Sequence, residues 1–153
     1  MLATQTLLGL HLLAAVFWVG GMAFAYLVLR PAAGPLEPPA RLPLWRRVFG
    51  IFLPWVGVSI VVLLGTGYGM VLTTFGGFRD MPMYIHVMQG LGILMMLLYL
   101  HMFFAPWRRF RAAVDQGTFS VAARYLNQIR IIVAINLVLG IATLLAGGTG
   151  RYW

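Results

Sequence analysis

Four uninterrupted apolar runs constrain this chain more than any other feature. A helix needs roughly 20 apolar residues to cross a bilayer core, and residues 2–29, 48–74, 82–105 and 121–146 each supply such a stretch. Outside them stand only two short arginine-bearing loops, one tight turn and a tail ending Gly150, Arg151, Tyr152 and Trp153. Of the 153 residues, 61% are hydrophobic and 9% charged, a balance that a soluble domain of this size cannot hide. The expected fold is all-α: an integral-membrane four-helix bundle, one transmembrane domain over residues 1–153, with the lipid bilayer as its first partner.

The formal charge of +8 does not point to nucleic acid, because the basic residues flank apolar spans instead of clustering on a water-facing domain. Arg30, Arg41, Arg46 and Arg47 follow the first span, and Arg108, Arg109, Arg111 and Arg124 separate the third from the fourth. The loop between spans two and three offers Arg79 alone. The positive-inside rule therefore puts both arginine-rich loops in the cytoplasm and both termini outside. No Lys or Arg precedes the first span and its apolar stretch exceeds a signal core, so it reads as a retained helix. Cysteine is absent, which excludes disulfides, thiolate zinc sites and cysteine-held iron–sulfur clusters.

Steps of three or four residues place His11, Ala15, Trp18, Met22 and Ala25 near one face of the first helix. The proline-rich stretch 31–43 is expected to break the chain, with Leu44, Trp45, Arg46 and Arg47 as an interfacial lead into span two. Pro54 with Gly57, Gly65, Gly67 and Gly69 suggests a kinked, closely packed second helix and no chemical site. Span three opens at Met81 and Pro82, a proline suited to a first helical turn. In span four, Asn127, Gln128 and Arg130 stand near the cytoplasmic end, where an arginine can snorkel, and Asn136 sits near mid-membrane.

The chemistry concentrates in span three. It holds His86 and His101 with Met81, Met83, Met88, Met95, Met96 and Met102 in or beside it. The two histidines are separated by about 22 Å of rise and point broadly the same way at opposite depths. His11 and His86 both fall in the outer half of the bilayer on helices that run in the same direction. Two imidazoles at matched depth suit a six-coordinate haem, walled by Trp18, Gly21 and Gly90, with Arg79 or Arg151 pairing the propionates. The same region supports another metal, because soft thioethers favour Cu(I) and Met81, Met83, His86 and Met88 lie close together in sequence. His101, Asn127 and Arg130 form a second candidate polar cluster at the other face. No carboxylate lies inside a span, which disfavours a proton pump, and catalytic triads and phosphate loops are absent.

Taken together, several stretches resemble the CopD (copper resistance protein D) family. They are His11-Leu-Leu-Ala-Ala-Val-Phe-Trp18-Val-Gly20-Gly21, Tyr26-Leu-Val-Leu-Arg30-Pro31, Tyr84-Ile-His86-Val-Met88, His101 with Phe104-Ala-Pro106-Trp107-Arg108-Arg109, and Gly147-Gly-Thr-Gly-Arg151-Tyr152. The resemblance covers nearly the whole chain and implies a multi-pass protein of the bacterial inner membrane linked to copper uptake or resistance. A more distant likeness is to the HemJ-type protoporphyrinogen oxidases, four-helix haem b proteins with histidines matching His11, His86 and His101 and an asparagine matching Asn127. Met88 replaces that family's lysine and Gln128 its glutamate, which disfavours the oxidase activity and leaves an enzyme unexpected. The leading expectation is haem b between His11 and His86 for electron transfer or redox sensing. The alternative is copper handling through Met81, Met83, His86 and Met88, and a third is a structural subunit of a respiratory assembly, as a homodimer or with a redox partner.

Overall fold

The computed structural model describes residues 2–79 and 81–153. Among them four long apolar helices can cross a membrane: Leu2–Ala32, Pro38–Thr74, Met83–Asp115 and Phe119–Tyr152. We label α1 the segment Leu2–Ala32, α2 Pro38–Thr74, α3 Met83–Phe104, α4 Pro106–Asp115 and α5 Phe119–Thr149. In hydrocarbon every backbone N–H and C=O needs a partner within its own segment, and helices supply it. The outward faces are correspondingly apolar: Leu13, Val61 and Val138 are each about two thirds exposed. The protein is a multi-pass membrane protein, a helical bundle.

Short connections make neighbouring helices antiparallel. Two tight pairs result, α1 with α2 and α3 with α5, and α5 joins them by also touching α1 and α2. Glycine serves the turns where only it fits comfortably: Gly76 and Gly77 adopt φ of 67° and 133° between α2 and α3, and Gly117 adopts 69° before α5.

Two departures from the sequence expectations have local causes. Helix α2 begins at Pro38, ten residues ahead of the apolar run, so the expected proline break is confined to residues 33–37. Pro38 and Pro39 occupy its first turn, where a missing N–H costs nothing, and Pro43 leaves a single carbonyl short of its helical donor. The expected loop after span three contains a further helix, α4. Its Trp107, Phe110, Ala113 and Val114 are buried against α5, while Arg108, Arg109 and Arg111 point outward. That amphipathic spacing is legible in the sequence. Arg46 at the start of α2 holds α4 from the other side, its Nε 2.6 Å from Asp115 Oδ1.

Inside the bundle the polar groups are few and mostly satisfied. Tyr99 donates its hydroxyl to the Leu53 carbonyl at 2.8 Å, and its ring meets Trp18 edge-on at 6.4 Å. Gly57 makes room for it, since a Cβ there would lie 3.0 Å from the Tyr99 oxygen. Asn136 donates to the Met95 carbonyl at 3.2 Å. Its Oδ1 has no partner among the described residues and borders a gap of about 10 Å³ lined by Trp18, Met22, Tyr99 and Met102, enough for about one water.

Close approach of α5 to α1 depends on Gly140, where an added Cβ would lie 2.8 Å from Val19 Cγ2 and 3.2 Å from Met95 Cε. Val19 is β-branched and cannot swing aside freely. Gly140→Ala is expected to destabilise the bundle by about 1–3 kcal/mol, and Gly148→Ala, where nothing lies within 4 Å, to be neutral or stabilising by up to about 1 kcal/mol. Thermal unfolding in detergent distinguishes the two. The same assay should give Tyr99→Phe a loss of about 0.5–1.5 kcal/mol for its buried hydrogen bond.

Candidate metal-binding site

The end of the bundle that carries both termini and the α2–α3 turn contains His11, His86 and the first methionines of α3. His11 is half-buried on α1, facing α2, with Nδ1 2.9 Å from Thr66 Oγ1. Thr66 already gives its own proton to the Val62 carbonyl at 2.6 Å. Its oxygen is therefore free to accept from His11 Nδ1–H, and that arrangement leaves the lone pair on Nε2, the state a metal ligand needs. Gly67 admits the ring: a Cβ at that position would come within 3.3 Å of His11 Cε1.

His86 lies in the first turn of α3 and is exposed. Met83, three residues earlier and 72% exposed, shares its face, as residues three apart on a helix do. The other two candidate thioethers turn elsewhere. Met81 is buried. Met88 is two residues beyond His86, roughly 200° around the helix, and its sulfur lies against Gly147 of α5. Between α2 and α3, Gln89 Nε2 donates to the Tyr68 hydroxyl at 3.2 Å. Thr66, Tyr68 and Gln89 were not singled out in the sequence, because each gains its meaning from a contact across the bundle that no local pattern announces.

The remaining candidates are dispersed. Trp18 is packed in the core against Tyr99, and the space over Gly21 is filled by the Phe52 ring. Gly90 and Arg79 are exposed, as are His101 and Asn127. Arg130 is half-buried and faces Tyr26, Arg30 and Trp45, around a second gap of about 10 Å³. The gaps beside Trp18 and beside Arg130 are each about 10 Å³, far below the roughly 300 Å³ that a porphyrin takes, and neither borders His11 or His86. Among the described residues no three His, Cys, Asp or Glu side chains gather. Thioethers beside an imidazole form a soft donor set, which favours Cu(I).

Comparison with known proteins bears on the same point. A family model described as CopD, copper resistance protein D, matches residues 46–149, about two thirds of the chain. Comparisons with curated proteins and with solved structures gave no match. The matched region contains α3 with His86 and its methionines, the amphipathic α4 and all of α5. By this match over most of its length, the chain belongs to the CopD (copper resistance protein D) family.

Proposed function

We propose that this protein handles Cu(I) in the bacterial inner membrane, receiving the ion at Met83 and His86. The observation that carries this reading is their shared, exposed face in the first turn of α3. A thioether and an imidazole one turn apart form a soft donor pair open to the outside of the bundle. Met88 stands behind them toward α5, and His11 lies deeper, with Thr66 orienting its ring. These are the next donors for an ion that leaves the entrance. Nine of the eleven arginines collect at the opposite end, which supports an orientation with both termini outside and the copper entrance on the outer face.

Copper handling is preferred over haem-based electron transfer for two reasons. The family description concerns copper, and neither the gap beside Trp18 nor the one beside Arg130 has room for a porphyrin. Copper here is cargo, so its seat need not enclose it. A two-donor surface pair that binds and releases suits uptake or delivery better than a buried, closed coordination shell.

The test is a Cu(I) titration of detergent-purified protein against a chromophoric chelator, with an absorption spectrum of the same sample. We expect stoichiometric Cu(I), with Met83→Leu and His86→Ala each weakening it by at least about tenfold, and His11→Ala having a smaller effect at the entrance. Protein that binds no Cu(I) yet shows sharp haem bands on reduction, lost in His11→Ala and His86→Ala, would overturn the copper reading in favour of haem.

A further inference from the structure

Three thioethers recur along α3 at steps of seven residues: Met88, Met95 and Met102. Seven residues bring a helix back to within about 20° of the same face, about 10 Å further along, and α5 answers in the same register. The Met88 sulfur lies 3.2 Å from where a Cβ on Gly147 would stand, and the Met95 methyl 3.2 Å from the corresponding point on Gly140. Thr143 gives its hydroxyl proton to the Leu139 carbonyl at 2.8 Å, so the Met95 sulfur, 3.8 Å away, keeps its lone pairs. The column starts beside the entrance pair Met83 and His86 and ends at the buried Met102.

At that inner end the packing leaves the gap of about 10 Å³ beside Trp18, bordered by α1, α2, α3 and α5. Two buried thioethers from different helices border it, Met102 of α3 and Met22 of α1. Asn136 of α5 borders it too and is 2% exposed. Its Nδ2 is committed to the Met95 carbonyl, while its Oδ1 is buried and has no partner among the described residues. The Tyr99 hydroxyl has already given its proton to the Leu53 carbonyl, so its oxygen offers the gap lone pairs only. Rings of Trp18, Phe49 and Phe52 complete much of the wall, and no carboxylate borders it.

We propose that this gap is an interior seat for one Cu(I) ion, ligated by the Met22 and Met102 thioethers with Asn136 Oδ1 beside them, and reached along the methionine column. The proposal rests on the copper reading of the entrance and adds where the ion comes to rest. Space for about one water is also space for one desolvated metal ion. Thioethers favour a soft cation, and the aromatic faces attract a monovalent one, which offsets part of the cost of burying a charge. Hard divalent ions look for carboxylate oxygens, which the gap lacks. Methionine is unbranched and flexible, so successive thioethers can reach toward each other across each step of about 10 Å. Ala25, Phe49 and Val133 border both this gap and the one beside Arg130. A guanidinium therefore stands beyond the seat and opposes onward movement of a cation, so the seat holds the ion.

The experiment is a Cu(I) titration of the detergent-purified full chain against a chromophoric chelator, with the ligands of the bound copper read by X-ray absorption. The parent should bind about two Cu(I) per chain, one at the entrance and one inside. Met22→Leu and Met102→Leu should each lose the interior ion and keep the entrance ion. Leucine conserves the volume of methionine and a core tolerates the exchange, so both variants should unfold near the parent's temperature. Met96→Leu removes an α3 thioether that does not border the gap and should keep both ions. In a double variant carrying Met83→Leu and His86→Ala, the ion that remains should show sulfur neighbours and no imidazole. A single ion that the double variant loses and that Met22→Leu and Met102→Leu retain overturns the interior seat and leaves the entrance standing. A single ion that the double variant retains and Met102→Leu loses supports the seat and overturns the entrance. Protein that binds no Cu(I) overturns both.

Discussion

Backbone amides in hydrocarbon have no water to bond, and this requirement organises everything else in the molecule. It forces the apolar runs into helices whose amides are satisfied internally. Association of those helices then cannot come from a hydrophobic drive, because lipid is as apolar as leucine. It rests on close packing and on a few interior hydrogen bonds. Gly21, Gly140 and Gly150 are where that packing is closest, admitting Phe52, Val19 and Tyr84 respectively. The hydrogen bonds from Tyr99 to Leu53 and from Asn136 to Met95 tie α3 to α2 and to α5 at mid-bundle.

Against that inert background the polar chemistry separates to the two ends. One end carries soft, neutral donors: the Met83 thioether and the His86 imidazole at the surface, with His11 deeper beside Thr66. The other end carries hard, permanently charged guanidinium groups and an indole N–H. A soft monovalent cation is attracted to the first kind of site and repelled by the second, and an oxyanion has the opposite preference. The same asymmetry is the one that the positive-inside rule reads, with arginine favoured on the cytoplasmic side.

The spans were legible because hydrocarbon thickness is a fixed length and apolar composition is a direct count. The family was legible because several short motifs, from Tyr84 to Arg109, fall within the region that the family model matches. Helix α4 was also within reach, since Trp107, Phe110 and Val114 recur at helical spacing, but the surrounding arginines made the segment look like a loop. The start of α2 was obscured because Pro38 and Pro39 read as breakers, although a first helical turn tolerates them. Matched depth is all that pairs His11 with His86 in the sequence. Depth follows from rise along a helix, whereas facing depends on how each helix is rotated against its neighbours.

The sequence by itself determined that the chain crosses a membrane four times as helices, where its charges collect and which donors are available to a metal. Those properties depend on composition and on distance along the chain. Tertiary structure alone decided which donors share a face: that His11 turns to Thr66, that Met83 and His86 look outward together while Met81 and Met88 do not, and that Phe52 fills the space over Gly21. It also gathered Arg30, Trp45 and Arg130 from three separate helices. The physical reason is that helix rotation is set by side-chain packing between segments far apart in sequence, and no local pattern encodes it.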